Sequence, residues 1–233
     1  MTQQTDKPLP SEQLVLELPH RAAMGRDDFL VAPSNAAAVD EIDHWPNWRH
    51  HALIIAGPPG SGKSHLATVF ASIADAQIYS PHDLVKTAYH QILRTGACVV
   101  EDLGEGALLD ETALFHLLNY AREHNGHVLM TSREPSSLWG ISLPDLATRL
   151  AATPLVTIDS PDDTLLRGIL VKLFDDRQLA VDEAAISYML KHMERSGAAA
   201  QRIVAEIDNS ALKKKAEISR TFIANLFRSL ERT

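Results

Sequence analysis

The eight residues Gly57-Pro58-Pro59-Gly60-Ser61-Gly62-Lys63-Ser64 constrain this chain more than any other stretch. They follow an apolar run, residues 52–56, and precede a helix-like run starting at His65. A strand that ends in a glycine-rich turn and restarts as a helix points its backbone N–H groups inward, where they cradle phosphate oxygens. Within that turn Lys63 sets a point charge against the outer phosphates, and the Ser64 hydroxyl is a Mg²⁺ ligand. The positive end of the helix that opens with His65 adds to the anion site. The expected ligand is a nucleoside diphosphate or triphosphate with Mg²⁺.

A chain of 233 residues suits one large domain, or a core domain with a smaller appendage. The formal net charge of −8 argues against non-specific affinity for nucleic-acid phosphates. The only basic cluster, Lys213-Lys214-Lys215 with Arg220 beyond it, reads as a solvated helix face. Cys98 is the sole cysteine and sits in an apolar run, so a buried, inert thiol and a reducing cytosol are expected. No apolar run has the length of a membrane span, and the polar N-terminus lacks a signal-peptide core. The expectation is a soluble, cytoplasmic protein.

Residues 1–11 are polar, carry Pro8 and Pro10, and read as a disordered arm. Beyond residue 50, short apolar strands (53–56, 77–79, 97–100, 127–130, 155–158) alternate with helical stretches (65–74, 81–93, 110–124, 143–151). That alternation predicts an α/β fold, a parallel sheet covered by helices on both faces. After Asp159 the pattern is helical only. Ser160 is a candidate N-cap with Pro161 in the first turn, and Asp182 starts a second helix. Ile203, Ile207 and Leu212 mark a third helix, and Phe222, Ile223, Leu226, Phe227 and Leu230 a fourth. The expected organisation is an arm over 1–24, an α/β nucleotide domain over 25–159 and an α-helical lid over 160–233.

A phosphate-binding loop needs a carboxylate at a neighbouring strand end, and Val99-Val100-Glu101-Asp102 offers two. Side chains alternate in extended structure, so the two acids are expected to point apart, one toward the metal and the other toward the attacking water. Thr131 ends another strand and can reach the outer phosphate. Leu143-Pro144-Asp145-Leu146-Ala147-Thr148-Arg149-Leu150 reads as a short helix exposing Arg149.

Taken together, these motifs resemble the AAA+ ATPases of the DnaA clade. The matching pieces are the loop at 57–64, Val-Val-Glu-Asp102, Leu-Met-Thr-Ser-Arg133 and Leu-Pro-Asp-Leu-Ala-Thr-Arg-Leu150. The leading segment from Arg26-Asp-Asp-Phe29 to Pro33-Ser-Asn35, which in the family packs near the adenine, is similar too. The resemblance implies a five-stranded parallel sheet flanked by helices, plus a C-terminal helical lid. It ends where DnaA would continue into its DNA-binding domain, so no sequence-specific DNA binding is expected. Within the clade the chain is similar to the Hda regulators, which inactivate DnaA after initiation and are tethered to the polymerase sliding clamp by an N-terminal peptide. Gln13, Leu14, Leu16 and Leu18 match that clamp-binding peptide, through which self-pairing into a homodimer is also plausible. The same resemblance implies ADP or ATP as the ligand, with ADP preferred.

Arg149 is implied to act in trans on ATP bound to DnaA, where such a guanidinium accelerates hydrolysis by about 10³–10⁵. Two departures stand out. Ala151-Ala152-Thr153 replaces the family's usual Trp-Gly after the arginine motif, and the lid arginine position falls on Ala198. Arg195 or Arg202 is the implied substitute, and Arg202 is carried as a nucleotide contact. Without such a contact, weak ATP hydrolysis by the chain itself is expected. The alternatives are a DnaA-like helicase loader driven by ATP, or a nucleotide-binding scaffold.

Overall fold

The computed structural model describes residues 29–104, 109–214 and 216–230. Five parallel strands form one sheet: β1 (Ala52–Ala56), β2 (Gln77–Tyr79), β3 (Ala97–Leu103), β4 (His127–Ser132) and β5 (Leu155–Thr157), in the order β2-β3-β4-β1-β5. All five residues of β1 are buried, as a strand with neighbours on both edges and helices on both faces requires. The two edge strands have three residues each and stay largely exposed, which limits their use as templates for edge pairing.

Side-chain alternation along the strands divides the sheet's packing into two layers. Leu53, Ile55, Val99 and Leu129 face α1 (Ala36–Asp43) and α2 (Lys63–Ile73), where Val39, Ile42, Leu66 and Phe70 are buried against them. Ile54, Cys98, Val100, Val128 and Met130 face the other way, onto Leu114 and Leu117 of α4 (Glu111–Glu123) and Leu146 of α5 (Pro144–Ala152). Cys98 is fully buried, and desolvation pushes its thiol far above the usual range, so it is inert.

The helix expected over 81–93 is broken. A 3₁₀ turn, Pro81–Val85, is closed by a capping box between Ser80 and Asp83, and a single helical turn, α3 (Tyr89–Ile92), follows. Leu84 and Ile92 reach the core while Val85 and Lys86 stay exposed, so no continuous apolar face spans the stretch.

The C-terminal part is a four-helix unit with its own core: α6 (Asp163–Asp175), α7 (Glu183–His192), α8 (Gly197–Lys214) and α9 (Arg220–Leu230). Leu166, Leu170, Phe174, Ile186, Met189, Val204, Ile207 and Ile223 fill it. The first helix starts later than expected. Asp162, not Ser160, is its N-cap and accepts from the Leu165 N–H at 2.7 Å, which leaves Pro161 in the connection from β5. Asp182 caps α7 as anticipated, accepting from Ala185 at 2.6 Å. Leu212, expected in the core, is 57% exposed. Among the described residues no helix is long and apolar enough to cross a membrane.

Candidate functional site

The glycine-rich loop leaves the end of β1 at the centre of the sheet, stitched to both neighbours. Gly57 N–H donates to Ser132 O at 3.1 Å, and Ile158 N–H to Ala56 O at 2.8 Å. A Cβ on Gly57 would sit 2.3 Å from Ile158 O, so the backbone approach excludes any side chain. Farther along, Gly60 has φ +72°, and its missing Cβ would lie 2.4 Å from the Ser196 Cβ. The Gly60 carbonyl also accepts from Gly197 N–H at 3.1 Å, so the tip of the loop rests on the start of α8.

Gly62 is the N-cap residue of α2, which places Lys63, Ser64 and His65 in its first turn. Lys63 is 7% exposed, and its Nζ donates to Gly57 O at 2.7 Å and Pro58 O at 3.0 Å. The ammonium therefore lies inside the curve of the loop. His65 meets Phe29 edge-on, ring centroids 5.0 Å apart. Phe29 belongs to a turn fixed by the buried Asn35, whose Oδ1 accepts from Ala32 N–H and whose Nδ2 donates to Leu30 O.

The acids at the end of β3 sit at an irregularity in the strand. The pairing register with β4 shifts between Val100 and Leu103, and Asp102 has φ +59°. At this bulge Asp102 N–H donates to Thr131 Oγ1 at 3.2 Å, and Asp102 lines the cavity. Glu101 is half-buried and accepts from the Ser64 hydroxyl. Burial pushes its carboxyl above the usual carboxylate range, Asp102 adds to the rise, and the Ser64 bond and Lys63 oppose it. Thr131 is fully buried and props the bulge instead of lining the cavity, while Ser132 Oγ donates to Glu134 O at 2.7 Å.

These elements form one wall of a cavity of about 410 Å³. The opposite wall comes from the lid: Pro161, Leu165, Ile169 and Leu173 present apolar surface, and Gly197, Ala198 and Gln201 come from α8. Arg133, Lys172 and Arg177 line it as well, and none of them was anticipated as a contact. Their helical spacing or strand-end position carries no chemical signature in sequence. Neither expected lid arginine lies here. Arg195 pairs with Asp163, and Arg202, carried as a nucleotide contact, is exposed and paired with Glu194 at 3.4 Å.

The donor set fits a Mg²⁺-nucleotide. Ser61 Oγ and Glu101 Oε1 are buried polar atoms without a hydrogen-bond partner, a costly arrangement that a phosphate and a metal-bound water relieve. Among the described residues no cluster of three or more His, Cys, Asp or Glu could hold a metal by itself. Mg²⁺ needs none, since it takes one or two protein oxygens and completes its shell with phosphates and water.

Arg149 stands elsewhere, in the last turn of α5. Its guanidinium lies 5.3 Å from the centre of the Phe115 ring on α4, and it does not line the cavity. Burial first, then the like charge of Arg122, lowers its pKa, yet arginine keeps its proton at any physiological pH. Ala151 and Ala152, which depart from the family pattern, continue the helix, and Thr153 closes it with its hydroxyl on Arg149 O at 3.0 Å. Gln13, Leu14, Leu16 and Leu18 lie outside the described residues.

Neither family models nor curated proteins return a match to this sequence. Solved structures do. Domain III of the replication initiation protein DnaA from Thermotoga maritima superposes with a TM-score of 0.74 at 17% identity, covering 91% of this chain and 98% of that one. AMPPCP-bound DnaA from Aquifex aeolicus gives 0.68 at 17% identity, over 88% of this chain and 69% of that one. A RuvB variant from Thermotoga maritima gives 0.67 at 16%, over 89% and 72%. The chain spans 66% of a DNA replication initiation factor to which it is also similar. At such identities the likeness shows the fold alone, one shared with DnaA domain III and RuvB.

Proposed function

We propose that this chain is a nucleotide-bound regulator of replication initiation of the Hda type, which stimulates hydrolysis of ATP held by DnaA. The observation that carries the reading is a separation. The loop, Asp102 and the apolar lid face converge on one cavity, while the arginine of the Leu-Pro-Asp-Leu-Ala-Thr-Arg motif stands outside it on α5. An arginine that cannot serve its own cavity is suited to serve a neighbour's.

The backbone of 57–62 and Lys63 would hold the phosphates, and Ser64 with the neighbouring Glu101 would hold Mg²⁺, while Asp102 stands at the cavity face. When bound, Mg²⁺ neutralises phosphate charge. The apolar surface of Ile169, Leu165 and Leu173 accepts a flat base. Arg149 presents a partly desolvated cation across α5, where it can neutralise charge developing on a γ-phosphoryl group in the partner. The peptide from Gln13 to Leu18 tethers the chain to the sliding clamp, which raises its effective concentration near DnaA on replicated DNA. Residue Ala198, together with the ion pairs of Arg195 and Arg202, favours slow turnover by the chain itself.

The test is hydrolysis of ATP by the cognate DnaA in the presence of clamp-loaded DNA, with wild-type chain or Arg149→Ala. The reading expects strong stimulation by the wild type and its loss in the variant. No stimulation by either, with the clamp shown to be bound, would sink it in favour of a loader or a scaffold.

A further inference from the structure

We propose that Phe115 is the positioning residue for Arg149, its ring holding the guanidinium in the pose from which it reaches a neighbour's nucleotide. This rests on the trans-acting role read above and names the residue through which that role is set. The backbone of α5 is fixed along its whole length. Before its first turn, the carboxylate of Glu111, the first residue of α4, accepts from Ser142 N–H at 2.9 and 3.0 Å and from Leu143 N–H at 2.6 Å. Leu146 and Leu150 are then buried in the core layer they share with Leu114 and Leu117 of α4. At the far end the Thr153 hydroxyl closes on Arg149 O at 3.0 Å. The freedom that these contacts leave belongs to the Arg149 side chain itself, which is long, half-buried and rich in rotamers.

Phe115 follows Glu111 by one turn of α4 and so lies on the same helix face. Its half-buried ring lies under the guanidinium, 5.3 Å from the Arg149 Cζ to the ring centre, within cation–π range. A ring differs from a carboxylate as a holder. Arg195 and Arg202 are held by Asp163 and Glu194, whose charges cancel theirs and take up N–H donors. The face of a phenyl ring has no formal charge and occupies none of the in-plane donors. Arg149 is therefore held while its charge and its donor fork stay available to phosphate oxygens. Asp145, one turn earlier on α5, and Glu123 on α4 both attract this cation, and Arg122 repels it. Without the ring, those charges decide where the guanidinium rests.

The test pairs two measurements on the full chain. The first needs no partner: the Nε–Hε resonance of Arg149, assigned by its absence in Arg149→Ala, should carry a ring-current shift that disappears in Phe115→Leu and persists in Phe115→Tyr. The second is hydrolysis of ATP by the cognate DnaA on clamp-loaded DNA, titrated with each variant. Phe115→Leu should lower the maximal stimulated rate by about tenfold, and leave the half-saturating concentration and the MgADP affinity within about twofold. Phe115→Tyr should restore the rate. Should Phe115→Leu fail to fold, Phe115→Met keeps the bulk without the ring and carries the same expectations. An Arg149 resonance indifferent to the ring, an unchanged maximal rate without it, or no recovery in Phe115→Tyr would overturn the assignment. A ring-current shift in place but no stimulation by the wild type would overturn the regulatory reading, and the role of Phe115 with it.

Discussion

The two walls of the cavity are built by different means. The sheet wall is mostly backbone and charge: a loop held by hydrogen bonds to both neighbouring strands, an ammonium curled into it, and Asp102 at a bulge in β3. The lid wall is mostly apolar side chains from a helix that also packs a separate core. Polyanion binding needs fixed dipoles and charges, which only a precise local backbone supplies. Base binding needs area, which any amphipathic helix supplies. One wall should therefore fail sharply on substitution and the other gradually.

The largest effect is expected from Lys63→Ala, which removes the cation from the curve of the loop. MgADP affinity measured by fluorescence competition should fall by about 100-fold or more, equivalent to about 2.7 kcal/mol. Next comes Gly60→Val. Its side chain would meet Ser196 at a backbone φ that favours glycine, so the loop must lift off α8. We expect a lower melting temperature and a loss of nucleotide affinity together, and an unchanged melting curve would show that the loop does not rest on the lid.

On the apolar wall, Ile169→Asp should weaken MgADP by about tenfold without abolishing binding, since one apolar contact is lost and a charge is placed near the base. A loss as large as that of Lys63→Ala would erase the contrast between the walls. Glu101→Gln should separate stability from binding. Burial raises the Glu101 carboxyl pKa, so its charge is held at a cost, and the amide should raise the melting temperature of the nucleotide-free chain by about 2 °C. The same change should reduce the Mg²⁺ dependence of nucleotide binding.

The smallest effect lies far from the cavity, at the opposite ends of β1 and β4. Burial, then the neighbouring His51, holds His127 below the usual histidine range. The unfolded chain takes up that proton first, so stability should decline as pH falls from about 6.5 toward the lowered folded value. His127→Phe should flatten this acid limb in melting curves recorded from pH 7.5 down to about 5.5.

How much of this was legible in the sequence follows from how local each signal is. The loop at 57–64 is contiguous, and its strand–loop–helix setting was readable because spacing alone sets the geometry. The strands were readable because a strand buried on both faces is an unbroken apolar run, as Ala52–Ala56 is. The irregularity at Glu101 and Asp102 was not legible because it involves Thr131, a residue on another strand. The helix start at Asp162 was missed because Ser160 and Asp162 are both good caps, and only the path out of β5 decides between them. Arg133, Lys172 and Arg177 were missed for a like reason, since what brings them together is the closure of the lid over the sheet.

The central claim is that both walls hold one nucleotide, and calorimetric titration of MgADP into the full chain tests it most directly. The account predicts one site per chain, with heat that disappears in Lys63→Ala and is weakened but retained in Ile169→Asp. No binding at millimolar MgADP, or binding indifferent to Lys63, would contradict it.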